Sequence, residues 1–297
     1  MTGTVAPIPR ATAAQAARRG LRRAATTLDP LATVAACVLL AMFAATILAR
    51  LVGLGGSPTE IVGTRLAAPS LAFPLGTDSL GRSLVPRLLE GIGTTLLLSV
   101  IAVAITAVLA STAGIVAGYR GGRVNGTIMR VGDMLYAFPS IILAILVAAV
   151  VGPGQVAALA SIVLVTVPLM TRLVAVSSRA VADRDFVAAA VISGVSTPRI
   201  LVRHILRNVA GTIAVQGTYA LSIAILVEGG LSFLGYGVQL PGSSLGLLIK
   251  EGTTYMVKAP WLIVAPGVVL VIAILCINVI GDSLRDRLEP RETRSLV

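Results

Sequence analysis

Three observations predict that this 297-residue chain is an all-α membrane protein. Hydrophobic residues make up 56% of it and charged residues only 12%, against roughly 45–50% and 25% in soluble domains. Its mean hydropathy is +0.94, and the apolar residues fall in long charge-free blocks. Crossing a hydrocarbon core of about 30 Å takes roughly 20 such residues. The basic residues, finally, concentrate in alternate loops.

The charge-free runs predict six transmembrane helices. Leu31 to Ala49 is the first, and Gly91 to Tyr119 is a full span with an extra turn. Met134 to Thr171 is too long for one helix and is interrupted by Gly152-Pro153-Gly154-Gln155, so it divides into two helices and a tight turn. Asn208 to Val227 forms the fifth, with Glu228 near its end, and Ala259 to Gly281 the sixth, entering through Pro260 and Trp261. The expected organisation is an Arg-rich tail (1–30), a first helix (31–50), an external loop (51–90), a core with five further helices (91–282) and a tail (283–297). Within that core, a loop spanning 176–208 leaves the membrane.

An even number of spans puts both termini on one side, and the positive-inside rule decides which. Five arginines precede the first span, three lie between the second and third, six follow the fourth and four follow the sixth, so 18 of the 24 basic residues share one face. Both termini are therefore expected in the cytoplasm of a cell whose plasma or inner membrane holds the chain. The net charge of +11 orients helices and needs no nucleic-acid partner. The Arg-rich start before an apolar run resembles a secretory signal, but the run ends at Arg50 without an A-x-A site, which favours an uncleaved anchor.

A search for catalytic chemistry finds little. Gly242-Ser243-Ser244-Leu245-Gly246 fits the G-x-S-x-G nucleophile pattern. The single histidine, His204, falls on the opposite side of the membrane, so the match reads as a glycine-serine turn. No phosphate-binding G-x-x-x-x-G-K-[ST] and no H-E-x-x-H is present, so no catalytic, cofactor-binding or metal residues are assigned and the chain is not expected to be an enzyme. Cys37 and Cys276 both lie in apolar blocks and read as small core residues. Asp133 suits the N-terminus of the third span.

Glu228 is the one clear ionisable residue within a span, where charge is costly and marks a functional site by default. The competing reading places it close to the outer interface, solvated, with Gly229 and Gly230 ending the helix. Small residues along the second span, including Gly91, Gly93, Ser99, Ala102, Ala110 and Gly114, would allow close helix contacts.

The segment 176–208 is too long for a tight connection. Asp185-Phe186-Val187-Ala188-Ala189-Ala190 has good helix formers with an acid in the first turn, Gly194 fits a helix stop, and Thr197-Pro198-Arg199 starts another short helix. Ile200, Leu201 and Ile205 then make an apolar face beside Arg199, Arg203 and Arg207.

In ordered motifs from Phe73 to Arg291 the sequence resembles the permease subunits of ABC importers for dipeptides, oligopeptides and nickel, specifically the C-type subunit of the two-permease pair. The motifs include Gly76-Thr77-Asp78 with Gly81-Arg82, Ala117-Gly118-Tyr119, Met129-Arg130 with Asp133, and Ala137-Phe138-Pro139-Ser140. Further on come Gly152-Pro153-Gly154, Arg203-His204-Ile205-Leu206 with Asn208, Glu228 with Leu231-Ser232-Phe233-Leu234-Gly235, Ala259-Pro260-Trp261, and Gly281-Asp282.

The resemblance implies a type I ABC importer permease fold. It also implies a second permease subunit, two ATPase subunits that hydrolyse ATP, an extracytoplasmic solute-binding protein and surrounding membrane lipid as partners. Asp185 to His204 looks like the family's coupling loop, which docks on an ATPase subunit. Ala188 stands where the family has a glutamate, so coupling is expected to rest more on shape and on Arg199 or Arg203; Arg207 stands where a proline is common, and Leu245, in the external loop, where a tryptophan is frequent. Di- or oligopeptides are the implied cargo, with nickel or another small solute as the alternative. An ATP-independent transporter fits less well, because no inverted repeat is evident between residues 31–171 and the rest.

Overall fold

The computed structural model describes residues 29–53 and 56–288. The Arg-rich tail before Asp29 and the last residues, 289–297, lie outside the described residues. Those residues form helices α1 (Pro30–Val52), α2 (Leu84–Arg120), α3 (Gly122–Tyr136), α4 (Ser140–Val151), α5 (Gln155–Ala182), α6 (Asp185–Ile192), α7 (Thr197–Leu234), α8 (Leu245–Thr253) and α9 (Trp261–Leu288). Five of these, α1, α2, α5, α7 and α9, are long and apolar enough to cross a membrane, and α3 with α4 makes a sixth if the bent pair is one span. The only β pairing among the described residues is two isolated bridges, Ile61 with Arg82 and Thr77 with Ser83.

α2 is the central post. At 37 residues it is about 55 Å long, well beyond a bilayer core. Three apolar clusters are strung along it. Leu84, Leu88, Ile92 and Leu96 pack at its outer end with Ile225, Leu245, Leu248 and Leu262. Ala102 packs at its middle with Ala144, Ile162 and Ala224. Ala110 and Ile115 pack at its inner end with Val174, Ile200 and Ile205. The small residues of α2 serve different neighbours. A Cβ on Gly114 would lie 2.8 Å from the Thr171 carbonyl oxygen of α5, whereas Gly91 faces the start of α8 and Gly93 faces Thr46 of α1. α1 itself is peripheral, burying only Ala32, Ala35 and Thr46.

Several expected boundaries move, for related reasons. α2 begins at Leu84 and not Gly91, because Arg87 is buried and ion-paired and so continues the helix. The loop expected over 176–208 contracts to 183–196: α5 runs to Ala182, supported by the Arg179–Asp183 pair, and Thr197-Pro198-Arg199 opens α7 instead of forming a separate helix. A long helix need not stop at the membrane surface once its last turns carry charge into water. α7 likewise continues through Gly229 and Gly230 to Leu234, where Gly235 at φ +90° caps it, and α9 continues through Asp282 to Leu288, into the expected tail.

The largest departure concerns the third span. A continuous helix from Met134 was expected, but Pro139 ends it, and α3 and α4 meet at 91°. The residue before a proline is disfavoured in helical conformation, and proline has no N–H to donate. Asp133 therefore lies inside α3, where it pairs with Arg172 of α5, and does not sit at a helix N-terminus.

Candidate coupling and transport sites

At the inner end, α6 is an eight-residue helix with one fully buried side chain. Val187 is 2% exposed and joins the cluster of Met170, Val174, Ile200, Ile205 and Val209. Asp185 is its first residue, the Phe186 ring lies 6.2 Å from the His204 ring at a tilt of 38°, and Ala190 is partly buried. Ala188 and Ala189 face outward, as do Arg199 and Arg203. Gly194 has φ +74°, a left-handed conformation that ends the helical turn as its sequence position predicts. The chain then enters α7 through a wide π-helical stretch, Ile200–Leu206, which turns Ile200 and Ile205 into the core. Val191 and Ile192 remain 52% and 87% exposed.

Near the outer end, Glu228 is fully buried, and the solvated reading of this residue is set aside. Its Oε2 accepts from Thr95 Oγ1 at 2.8 Å and its Oε1 from Ser232 Oγ at 2.6 Å, with Ser244 a third hydroxyl partner. Each of these hydroxyls also accepts a backbone N–H: Leu245 to Thr95, Val238 to Ser232 and Leu247 to Ser244. A hydroxyl has one proton to give. With its lone pair taken by an amide, that proton points to Glu228, which thereby ties the outer segment 238–247 to α2 and α7. Ser244 is the N-cap of α8, which disposes of the nucleophile pattern. The fit is close, since a Cβ on Gly246 would meet the Gly229 carbonyl oxygen at 2.1 Å.

Beside this network a buried ion cluster fastens the loop between α1 and α2. Asp78 Oδ2 lies 2.6 Å from Arg82 Nε and 2.8 Å from Arg87 Nη1, and Arg87 Nη1 also lies 2.7 Å from Glu251 Oε2 of α8. Burial pushes the Asp78 carboxyl upward, but backbone N–H groups of Arg82 and Leu80 and the Arg82 guanidinium outweigh it and hold the group below its ordinary value. Sequence reasoning quoted Asp78 and Arg82 within a motif but missed their role. Their spacing of four residues was the available signal; Thr95 and Glu251 gave none, because their partners are remote in sequence.

Five apolar crossings, and a sixth if the bent pair α3–α4 is one span, define a multi-pass membrane protein. The pattern described as "Binding-protein-dependent transport system inner membrane component" matches residues 110–294, more than half of the chain. The chain is 37% identical to the dipeptide transport system permease protein of Alkalihalophilus pseudofirmus, over 76% of this chain and 75% of that one. It is also 37% identical to the oligopeptide transport system permease protein of Mycobacterium bovis, over 78% and 80% respectively. A chain of the inward-facing MetNI methionine ABC transporter superposes with a TM-score of 0.56 at 17% identity, covering 69% of this chain and 98% of that one, which establishes a shared fold. The protein belongs to the family of binding-protein-dependent transport system inner membrane components, and is a multi-pass permease of the plasma membrane with the type I importer fold.

Proposed function

We propose that this chain is one transmembrane half of an ATP-driven importer of di- or oligopeptides. A second, related permease completes the pathway, and two ATPase subunits bind at the inner face. An extracytoplasmic solute-binding protein delivers cargo to the outer segments 53–83 and 235–260. ATP hydrolysis belongs to the ATPase partners. The names borne by the dipeptide and oligopeptide relatives support the cargo class.

The observation that carries the coupling part is the seating of α6. One buried valine seats it against α5 and α7, while Val191 and Ile192 stand exposed, as do Arg184, Arg199 and Arg203 of the same segment. Exposed apolar side chains in a segment that also exposes cations are the chemistry of a protein-docking surface. Asp185, Phe186, Val187, Ala188, Ala189, Ala190, Gly194, Arg199, Arg203 and His204 are assigned to this coupling element. Closure of an ATPase dimer on bound ATP moves α6 as a lever, α5 and α7 follow, and the pathway opens outward; hydrolysis resets it. With alanine at position 188, contact rests on the apolar patch and its arginines.

The test is co-purification of the tagged chain from mild detergent, with measurement of ATPase subunits and ATP turnover, for wild type and Gly194→Pro. Proline cannot adopt the left-handed conformation at 194, so the variant is expected to lose ATPase subunits or uncouple turnover from transport. An absence of ATPase subunits from a wild-type chain that still moves solute alone would overturn the reading.

A further inference from the structure

The bend in the third span exposes backbone. Among the described residues no hydrogen-bond donor reaches the Tyr136 or Ala137 carbonyl oxygen, and Pro139 has no N–H to offer. Interrupted backbone at membrane depth is tolerated only where it is buried in protein or lines a water-filled cavity. Beside the bend is a cavity of about 650 Å³, bounded by α3, α4, α5 and α7, within the size range of small-molecule sites. It lies near the midpoints of α5 and α7, at Thr166 and Gln216.

The polar groups of this cavity are few and uncharged. Thr166 is engaged with Thr106 and Tyr219 with Asp282, but the Gln216 amide and the Ser140 hydroxyl have no partner among the described residues. None of the described lining residues carries a charge, and apart from the Tyr136 phenol the remaining wall is apolar. A primary amide offers both donor and acceptor, the same pair a peptide bond presents, while uncharged apolar walls discriminate poorly between side chains.

We propose that this cavity is the chain's share of the cargo pathway, and that Gln216, with the Tyr136 carbonyl, hydrogen-bonds the main-chain amides of a passing peptide. The assignment rests on the peptide-importer reading above and adds the surface that meets the cargo. Recognition through the main chain makes transport tolerant of peptide sequence, as apolar walls without charges require.

The test uses the full complex with its partner subunits, reconstituted in liposomes, carrying Cys37→Ser and Cys276→Ser so that single cysteines can be introduced. Gln216→Cys and Ser140→Cys are expected to react with a water-soluble thiol reagent and to be protected by trialanine during turnover, whereas Val108→Cys, on an exposed apolar face of α2, stays unreactive. Gln216→Leu is expected to raise the KM for trialanine about tenfold, the loss of roughly one hydrogen bond, with Gln216→Asn closer to wild type. Inert cysteines at 140 and 216 in a complex that imports trialanine would mean that a helix of the second permease or lipid fills the cavity, and the assignment would be wrong. Labelling without protection, together with an unchanged KM in Gln216→Leu, would equally overturn it. A wild-type complex that imports no peptide at all defeats the functional reading first, and this assignment with it.

Discussion

Thr95 Oγ1 donates a 2.8 Å hydrogen bond to Glu228 Oε2 across 133 residues of chain, and the same oxygen accepts the Leu245 N–H that begins α8. One hydroxyl thus links the central post, the intramembrane acid and the outer segment. Glu228→Ala leaves the Thr95 and Ser232 hydroxyls without an acceptor in a fully buried site, and is expected to cost about 1–3 kcal/mol. Glu228→Gln keeps one carbonyl acceptor and should cost less. Thermal unfolding in detergent, with limited proteolysis of residues 235–258, measures both. Equal melting of Glu228→Ala and wild type would show that the acid does not hold the outer segment.

The external ion cluster makes a second prediction. Arg87 is 1% exposed and bridges Asp78 of the loop to Glu251 of α8. Removing one partner of a buried pair strands the others, so Arg87→Ala is expected to destabilise the outer end by about 3–5 kcal/mol. A fall in melting temperature checks this, and Arg50→Ala, at the exposed end of α1, serves as the neutral reference.

Asp78 also sets a pH dependence. Its folded-state value lies below that of the unfolded chain, so its contribution is fully present above the unfolded value, about 3.9, and is lost as pH falls through the lowered folded value. Trp261, the single tryptophan, packs on Gly76 and reports on this loop. Its emission should therefore hold steady down to about pH 4 and change only below it. Asp78→Asn removes this acid-dependent component. Identical acid titrations of the variant and wild type would refute the assignment.

What could be read from the sequence, and what could not, follows from the range of each interaction. Charge-free runs such as Leu31 to Ala49 announce themselves because the bilayer filters on composition over about 20 residues. Gly194 was legible as a helix stop because its backbone requirement is local. The bend at Pro139 was not, because prolines also sit inside intact helices here: Pro168 lies within α5 and Pro266 within α9. Whether a proline breaks or merely kinks a helix depends on what neighbours re-satisfy the freed backbone. Gln216 went unnoticed because one amide in a long apolar run carries no signal until a cavity is found beside it. The partners of Glu228 were hidden by separation in sequence, except Ser232, one helical turn away on the same face.

The close contact of α2 with α5 predicts a contrast between glycines. A Cβ on Gly118 would fall 2.5 Å from the Ala175 carbonyl oxygen and 2.7 Å from Ser178 Cβ, so Gly118→Ala must push the two helices apart. A cost of about 1–3 kcal/mol is expected, as for other overpacked cores. Gly267 of α9 has nothing within 4 Å of the same construction, and Gly267→Ala should be neutral or mildly stabilising in the isolated chain, by up to about 1 kcal/mol of helix propensity. Melting of the two variants in detergent separates packing from propensity; equal shifts would mean that the α2–α5 contact is looser than described.

The anchoring of α6 through one side chain makes the last prediction the most selective. Val187→Asp puts a carboxylate into the apolar cluster of Met170, Val174, Ile200 and Ile205. Burying an unpaired charge costs more than the contact of so short a helix returns, so α6 should leave its seat while the crossing helices stay folded. Proteolytic cleavage within 183–196 should rise, ATP turnover in the full complex should separate from uptake, and the melting of the membrane core should change little. Ala189→Asp, on the exposed side of the same helix, leaves the seat intact and perturbs only the outward surface. If the two variants affect cleavage equally, the lever is not held through Val187; if only Val187→Asp opens the segment while both impair turnover, anchor and docking surface are distinct faces of one helix.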